Sequence, residues 1–150
     1  MTLTQKENTL LQDLKSQEKL CYDKYSKYSQ QAHAEELKSL FGEIAAAEKS
    51  HYDTVCSILQ GTVPHMPTGL TATNKFCCKV DYPNEATKNA DQFLLSDMLA
   101  MEKHVSSLYD TSVFEFSDPQ ARRALNHIQS EEQQHGEKIY AYMSANGMYS

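Results

Sequence analysis

Glu132-Gln133-Gln134-His135 sets a carboxylate and an imidazole three residues apart. On a helix that spacing puts both on one face. The pair recurs 84 residues earlier as Glu48-Lys49-Ser50-His51. Thirty residues before each paired Glu stands another, Glu18 before Glu48 and Glu102 before Glu132. One Glu-x-x-His carries little information, but two copies with the same upstream Glu are hard to reach by chance. Four carboxylates and two imidazoles facing into a four-helix bundle suit two hard-to-borderline divalent ions, iron or manganese. The competing reading is two surface Glu/His pairs on solvated helix faces.

In such a site Glu48 and Glu132, beside the histidines, would bridge, while Glu18 and Glu102 would each be terminal ligands. Without metal the four carboxylates would repel one another, and some would take up protons. Open positions between two redox-active ions are where O2 or peroxide is reduced. Tyr22, one turn from Glu18, is the candidate catalytic side chain, as a hydrogen-bond donor to a ligand or as a radical carrier. Its competing reading is a core tyrosine with a satisfied hydroxyl. Tyr25 and Tyr109 read as core. Asp13 and Asp97 are candidate partners for the second N–H of the imidazoles, against a plainer reading as surface residues. His33, His65, His104 and His127 fall in turns, in a linker or off the inner stripes.

The elements that must position these groups are four helices. Thr4-Gln5-Lys6-Glu7 fits a capping box and starts a helix that runs to about residue 31. Its inner stripe is Leu11, Leu14, Glu18, Tyr22 and Tyr25, with Cys21 at the edge. A carboxylate in that stripe must be paired, protonated or metal-bound, because burying it alone is costly. After a turn at His33-Ala34 a second helix runs to about residue 60, with the stripe Leu37, Phe41, Ile44, Glu48, His51, Val55 and Ile58. Gly61 caps it. The third helix begins between Asn84 and Asn89 and carries Leu95, Met98, Glu102, Val105, Tyr109 and Val113. Ser117-Asp118-Pro119 makes a turn with Pro at the first helical position. The fourth helix carries Ala121, Leu125, Ile128, Glu132, His135, Ile139 and Tyr142, and Gly147 ends it.

Each turn lies midway between the Glu residues of its own half, so the two carboxylates of a hairpin sit at one level. Residues 61–83, with prolines at 64, 67 and 83, form a linker far longer than the usual loop of about 5 residues. A crossover along the bundle explains it: about 24 helical residues span roughly 36 Å, which such a linker can cover. The expected organisation is one domain over 1–150: hairpin 4–60, crossover 61–83, hairpin 84–146. The fold class is all-α.

The halves align without a gap at the offset of 84. Matched identities include Leu11/Leu95, Glu18/Glu102, Tyr25/Tyr109, Ile44/Ile128, Glu48/Glu132 and His51/His135.

A net charge of -6 argues against a nucleic-acid surface. No apolar run approaches the ~20 residues of a membrane helix. The N-terminus lacks the apolar core of a signal peptide, so synthesis on the cytoplasmic side is expected. Cys21, Cys56, Cys77 and Cys78 show no Cys-x-x-Cys spacing, which argues against a zinc knuckle. They read as reduced thiols, two on helices and two in the linker.

The six-residue set and the four helices resemble the ferritin-like superfamily. Within it the chain is most similar to the spore coat protein F-like group of spore-forming Firmicutes. The stretches that carry this are Glu102-Lys-His-Val-Ser-Ser-Leu-Tyr-Asp, Leu125-Asn-His-Ile-Gln-Ser-Glu-Glu-Gln-Gln-His-Gly-Glu-Lys-Ile-Tyr, and Asn146-Gly-Met-Tyr. The resemblance implies a ferritin-like bundle and a location in the spore coat. Its implied partners are other coat proteins, with a homo-oligomer as a further option. Tyrosine content and Cys77-Cys78 would suit cross-linking in a coat.

Two departures bear on activity. Glu102 is followed by Val105 and Ser106 where rubrerythrin-like sites carry an extra Glu, and no rubredoxin module is present. The functions in play are therefore a coat protein whose two Fe or Mn ions react with O2, peroxide or Fe²⁺, and a structural coat component with a structural or empty site. A rubrerythrin-like peroxide reductase and an iron store are the further alternatives, and the latter would need a closed multi-subunit shell.

Overall fold

A computed structural model describes residues 1–67 and 79–149. Among them the chain forms four helices: α1 (Gln5–Gln31), α2 (Glu35–Leu59), α3 (Glu85–Glu115) and α4 (Pro119–Ala145). Residues 68–78 of the expected crossover, with Cys77 and Cys78, lie outside the described residues.

Local chemistry sets the helix ends. Thr4 and Glu7 form the reciprocal capping box that the sequence predicts. Asn84 and Asp118 accept from backbone N–H groups at the starts of α3 and α4. Gly61 and Gly147 take positive φ just past α2 and α4, where a β-carbon is penalised. The start of α2 is different. Ala34 offers no side-chain cap, and the buried carboxylate of Asp91 on α3 accepts from the backbone of His33 at 2.7 Å and of Ala34 at 3.0 Å. A residue from the second hairpin thus closes the turn of the first.

α1 and α2 pack as one antiparallel hairpin, α3 and α4 as the other. Contacts between hairpins fix the remaining directions. Tyr25 meets Glu102 and Tyr109 meets Glu18, so α3 runs antiparallel to α1 and hence parallel to α2. A parallel α2–α3 pair is what a long crossover provides. The four apolar stripes close on one core that includes Leu11, Phe41, Ile44, Val55, Leu95, Met98, Leu125 and Ile139, each at most 1% exposed. Burial of each such side chain stabilises the fold by about 1.5–3 kcal/mol. The core is interrupted at mid-height by one polar layer, made of Glu18, Glu48, His51, Glu102, Glu132 and His135.

Candidate metal centre

The bundle brings all six of these side chains together. They fall into two overlapping groups, Glu18-Glu48-His51-Glu132 and Glu48-Glu102-Glu132-His135, each with one ligand atom per residue within 4.8 Å of the others. Glu48 and Glu132 belong to both. This follows from their position: each sits beside a His of its own helix and faces the His of the opposite one. His135 Nδ1 lies 3.0 Å from Glu48 and 3.2 Å from Glu102. His51 Nδ1 lies 3.3 Å from Glu132, 3.4 Å from Glu48 and 3.7 Å from Glu18, and forms a hydrogen bond with none of them. The two imidazole rings stack with centroids 5.8 Å apart.

Buried polar atoms normally find partners. Here the buried atoms without one, among the described residues, are Glu18 Oε2, Glu48 Oε2, Glu102 Oε2, both Glu132 oxygens and His51 Nδ1. All belong to this layer, and all are electron-pair donors of the kinds that iron and manganese accept. The residues present therefore fit a pair of such ions.

The electrostatics show how the layer stands without them. Burial, together with the neighbouring Glu18, pushes Glu48 up to about 8. Burial and the charges of Glu102 and Glu18 likewise raise Glu132 well above the carboxylate range. Burial also works against ionisation of Glu18, but Glu48, His51 and Tyr109 outweigh it and bring the carboxyl down to about 2. Glu102 is lowered in the same way, by Glu132, His135 and Tyr25 against burial. Burial opposes charge on the imidazoles, yet the surrounding carboxylates prevail. His135 rises to about 9 through Glu102 and Glu48, and His51 rises well above its usual value through Glu131, Glu132, Glu18 and Glu48. Glu48 and Glu132 are thus pushed toward the protonated form, while Glu18, Glu102 and the two imidazoles are pushed toward the charged form.

Two tyrosines hold the outer carboxylates. Tyr25 donates to Glu102 at 2.6 Å, and Tyr109 donates to Glu18 at 2.7 Å. The offset of 84 interchanges these two bonds, so they are one interaction repeated by the pseudo-two-fold. Both residues are core, as the sequence predicts, but their hydroxyls reach the polar layer, which the sequence reading does not anticipate. The candidate Tyr22 does not reach it. Tyr22 is half-buried against the edge of the core and forms no hydrogen bond with any of the six.

Glu131 is a further residue missed from the sequence. Its Oε1 lies 3.1 Å from His51 Nε2 and 3.2 Å from His127 Nε2. It takes the role of orienting an imidazole for which Asp13 and Asp97 are candidates in the sequence, beside their plainer reading as surface residues. Asp97 instead binds Lys24 and Tyr28 on α1, and Asp13 is exposed. His33, His65 and His104 are exposed and stand away from the layer. The available signal was adjacency: Glu131 precedes Glu132, and at i+4 from His127 it shares a helix face with it. Cys21 is buried and free, and burial with the nearby carboxylates pushes its thiol up, so it stays protonated.

Residues 90–150 match the family model of the Coat F domain. No curated protein and no solved structure matches the chain. The match spans nearly all of α3, the whole of α4 and with them Glu102, Glu132 and His135, less than half of the chain, and makes the second hairpin similar to the Coat F domain.

Proposed function

We propose that this is a ferritin-like protein of the spore coat whose polar layer binds two iron or manganese ions. The observation that carries the reading is the set of buried donor atoms without partners, gathered into two groups that share Glu48 and Glu132. Glu18 and His51 would hold one ion, Glu102 and His135 the other, and Glu48 and Glu132 would bridge. Such a pair supplies redox chemistry toward O2, peroxide or Fe²⁺. The protein's own part is to hold the donors in place and keep bulk water out. Tyr25 and Tyr109 fix the outer carboxylates, Glu131 fixes the His51 ring, and the apolar stripes above and below seal the layer.

Loading divalent ions would displace the protons that the layer holds. The opposed shifts also favour one competitor, a structural coat component with an empty site, because carboxyls pushed toward protonation stand beside imidazoles pushed toward charge. A peroxide reductase of the rubrerythrin kind finds less support. The additional carboxylate near the centre, Glu131, lies on α4 outside His51, and α3 offers Val105 and Ser106 where that chemistry uses a Glu.

Elemental analysis after reconstitution with Fe²⁺ or Mn²⁺ tests the reading, with Glu132→Ala as control. Two ions per chain, lost in the variant, are expected. No bound metal in the unsubstituted protein would leave the structural reading in place.

A further inference from the structure

The pseudo-two-fold that repeats the six donors does not repeat their surroundings. A cleft of about 550 Å³ opens between α3 and α4, floored by Glu102 and Glu132. Leu99, Tyr140 and Tyr149 give it apolar walls. The two tyrosines are half exposed, and their rings meet edge to face with centroids 5.0 Å apart. Small residues, Ser106 and Gly136, make the room at its centre. At the matching positions the first hairpin carries Tyr22 and Tyr52. Lys103, the counterpart of Lys19, lines the cleft. Two aromatic residues therefore stand in the sequence where the second hairpin has a serine and a glycine.

Gly136 has no packing reason to be glycine. A β-carbon there would meet only Leu99 Cδ1, at an ordinary 3.9 Å. The room beside it continues into the cleft. Behind the floor lie Glu102 Oε2 and both oxygens of Glu132, buried and without hydrogen-bond partners. The cleft is much larger than O2 or peroxide requires and falls in the size range of small organic ligands. Its walls suit an aromatic ring, and its floor suits a hydrogen-bond donor.

We propose that the α3–α4 cleft binds a small neutral phenol, with its ring against Leu99, Tyr140 and Tyr149 and its hydroxyl toward Glu132. Binding does not require metal.

The test uses phenol itself and the metal-free full chain, by titration calorimetry and by NMR shift mapping. Saturable binding near the millimolar range is expected for so small a ligand, with shifts centred on Leu99, Tyr140 and Tyr149. Ser106→Tyr combined with Gly136→Tyr copies the first hairpin into the second and should weaken phenol binding at least tenfold. If that variant fails to fold, the shift map of the unsubstituted chain decides. Shifts elsewhere, no saturable binding, or unchanged affinity in a folded variant would overturn the proposal. Metal content, measured separately, judges the metal reading: an unsubstituted chain that binds phenol but no metal retains the cleft and loses the metal centre.

Discussion

At positions related by the offset of 84, the α1–α2 hairpin carries Lys15, Tyr22 and Tyr52 where the α3–α4 hairpin carries Leu99, Ser106 and Gly136. The differences run the other way on the far side of the layer. Glu131 of the second hairpin reaches across to His51 of the first, whereas its counterpart is Ala47, which has nothing to offer His135. The donors themselves and the two tyrosine bonds are the same in both halves. Duplication explains the shared part: a layer of buried charge tolerates little change, because an unpaired charge left by substitution costs several kcal/mol. The flanks lie nearer the surface and are free to diverge. One face is open, and one imidazole is held more firmly than the other.

The largest effect should separate the shared donors from those used once. Glu48→Gln removes a member of both groups and should abolish binding of both ions. Glu18→Gln removes a member of one group and should leave about one ion per chain, most simply the one held by Glu102 and His135. Equal losses in the two variants would mean that the groups do not act as two sites.

A second effect follows from protonation. The folded-state values of Glu48 and His135 are raised to about 8 and about 9 from ordinary values of 4.5 and 6.5. Groups so raised stabilise the metal-free fold below their unfolded values, and that contribution is lost as pH rises through the folded ones. The melting temperature of the metal-free protein should therefore fall by several degrees between about pH 7 and pH 10. Metal affinity should rise over the same range as the protons leave. A melting temperature that climbs with pH would contradict the shared-proton layer.

Much of this arrangement was legible in the sequence, because the legible part is periodic. The four helices, their caps and the six buried donors follow from three-and-four spacing and from one repeated offset. What stayed hidden depends on reach between elements. Tyr25 and Tyr109 look like ordinary core positions on their own helices; only the antiparallel α1–α3 packing lays each hydroxyl on the other hairpin's Glu. Tyr22, one turn from Glu18 along the chain, is half-buried at the edge of the core and hydrogen-bonds none of the six. Asp91 looks like a surface residue near the start of α3 until the uncapped turn at His33-Ala34 is brought against it.

Glu131 gives a smaller effect that sharpens the contrast between halves. Loss of a carboxylate that orients a ligand imidazole typically lowers metal affinity about 10–100-fold. In Glu131→Ala only the first-filled or the second-filled ion should weaken, the one beside His51, so a two-step Mn²⁺ titration should change in one step alone. The reverse substitution, Ala47→Glu, should leave the His51 step untouched. Equal weakening of both steps would show that Glu131 acts on the bundle as a whole.

The smallest effect concerns the open face itself. Glycine within a helix costs roughly 0.5–1 kcal/mol relative to alanine, since the unfolded chain loses more freedom there. Gly136 is helical with φ in the ordinary negative range, and the nearest atom to an added β-carbon is Leu99 Cδ1 at 3.9 Å. Gly136→Ala should therefore raise the melting temperature by a few degrees at most. Removing this gain requires a steric conflict that the cleft does not present. An alanine that destabilises the bundle would mean that α3 and α4 approach more closely than described, and the contrast between a closed and an open hairpin would disappear. A stabilised alanine variant supports the contrast from the side of the fold, because it shows that helix stability alone does not favour glycine at a position where the first hairpin carries Tyr52.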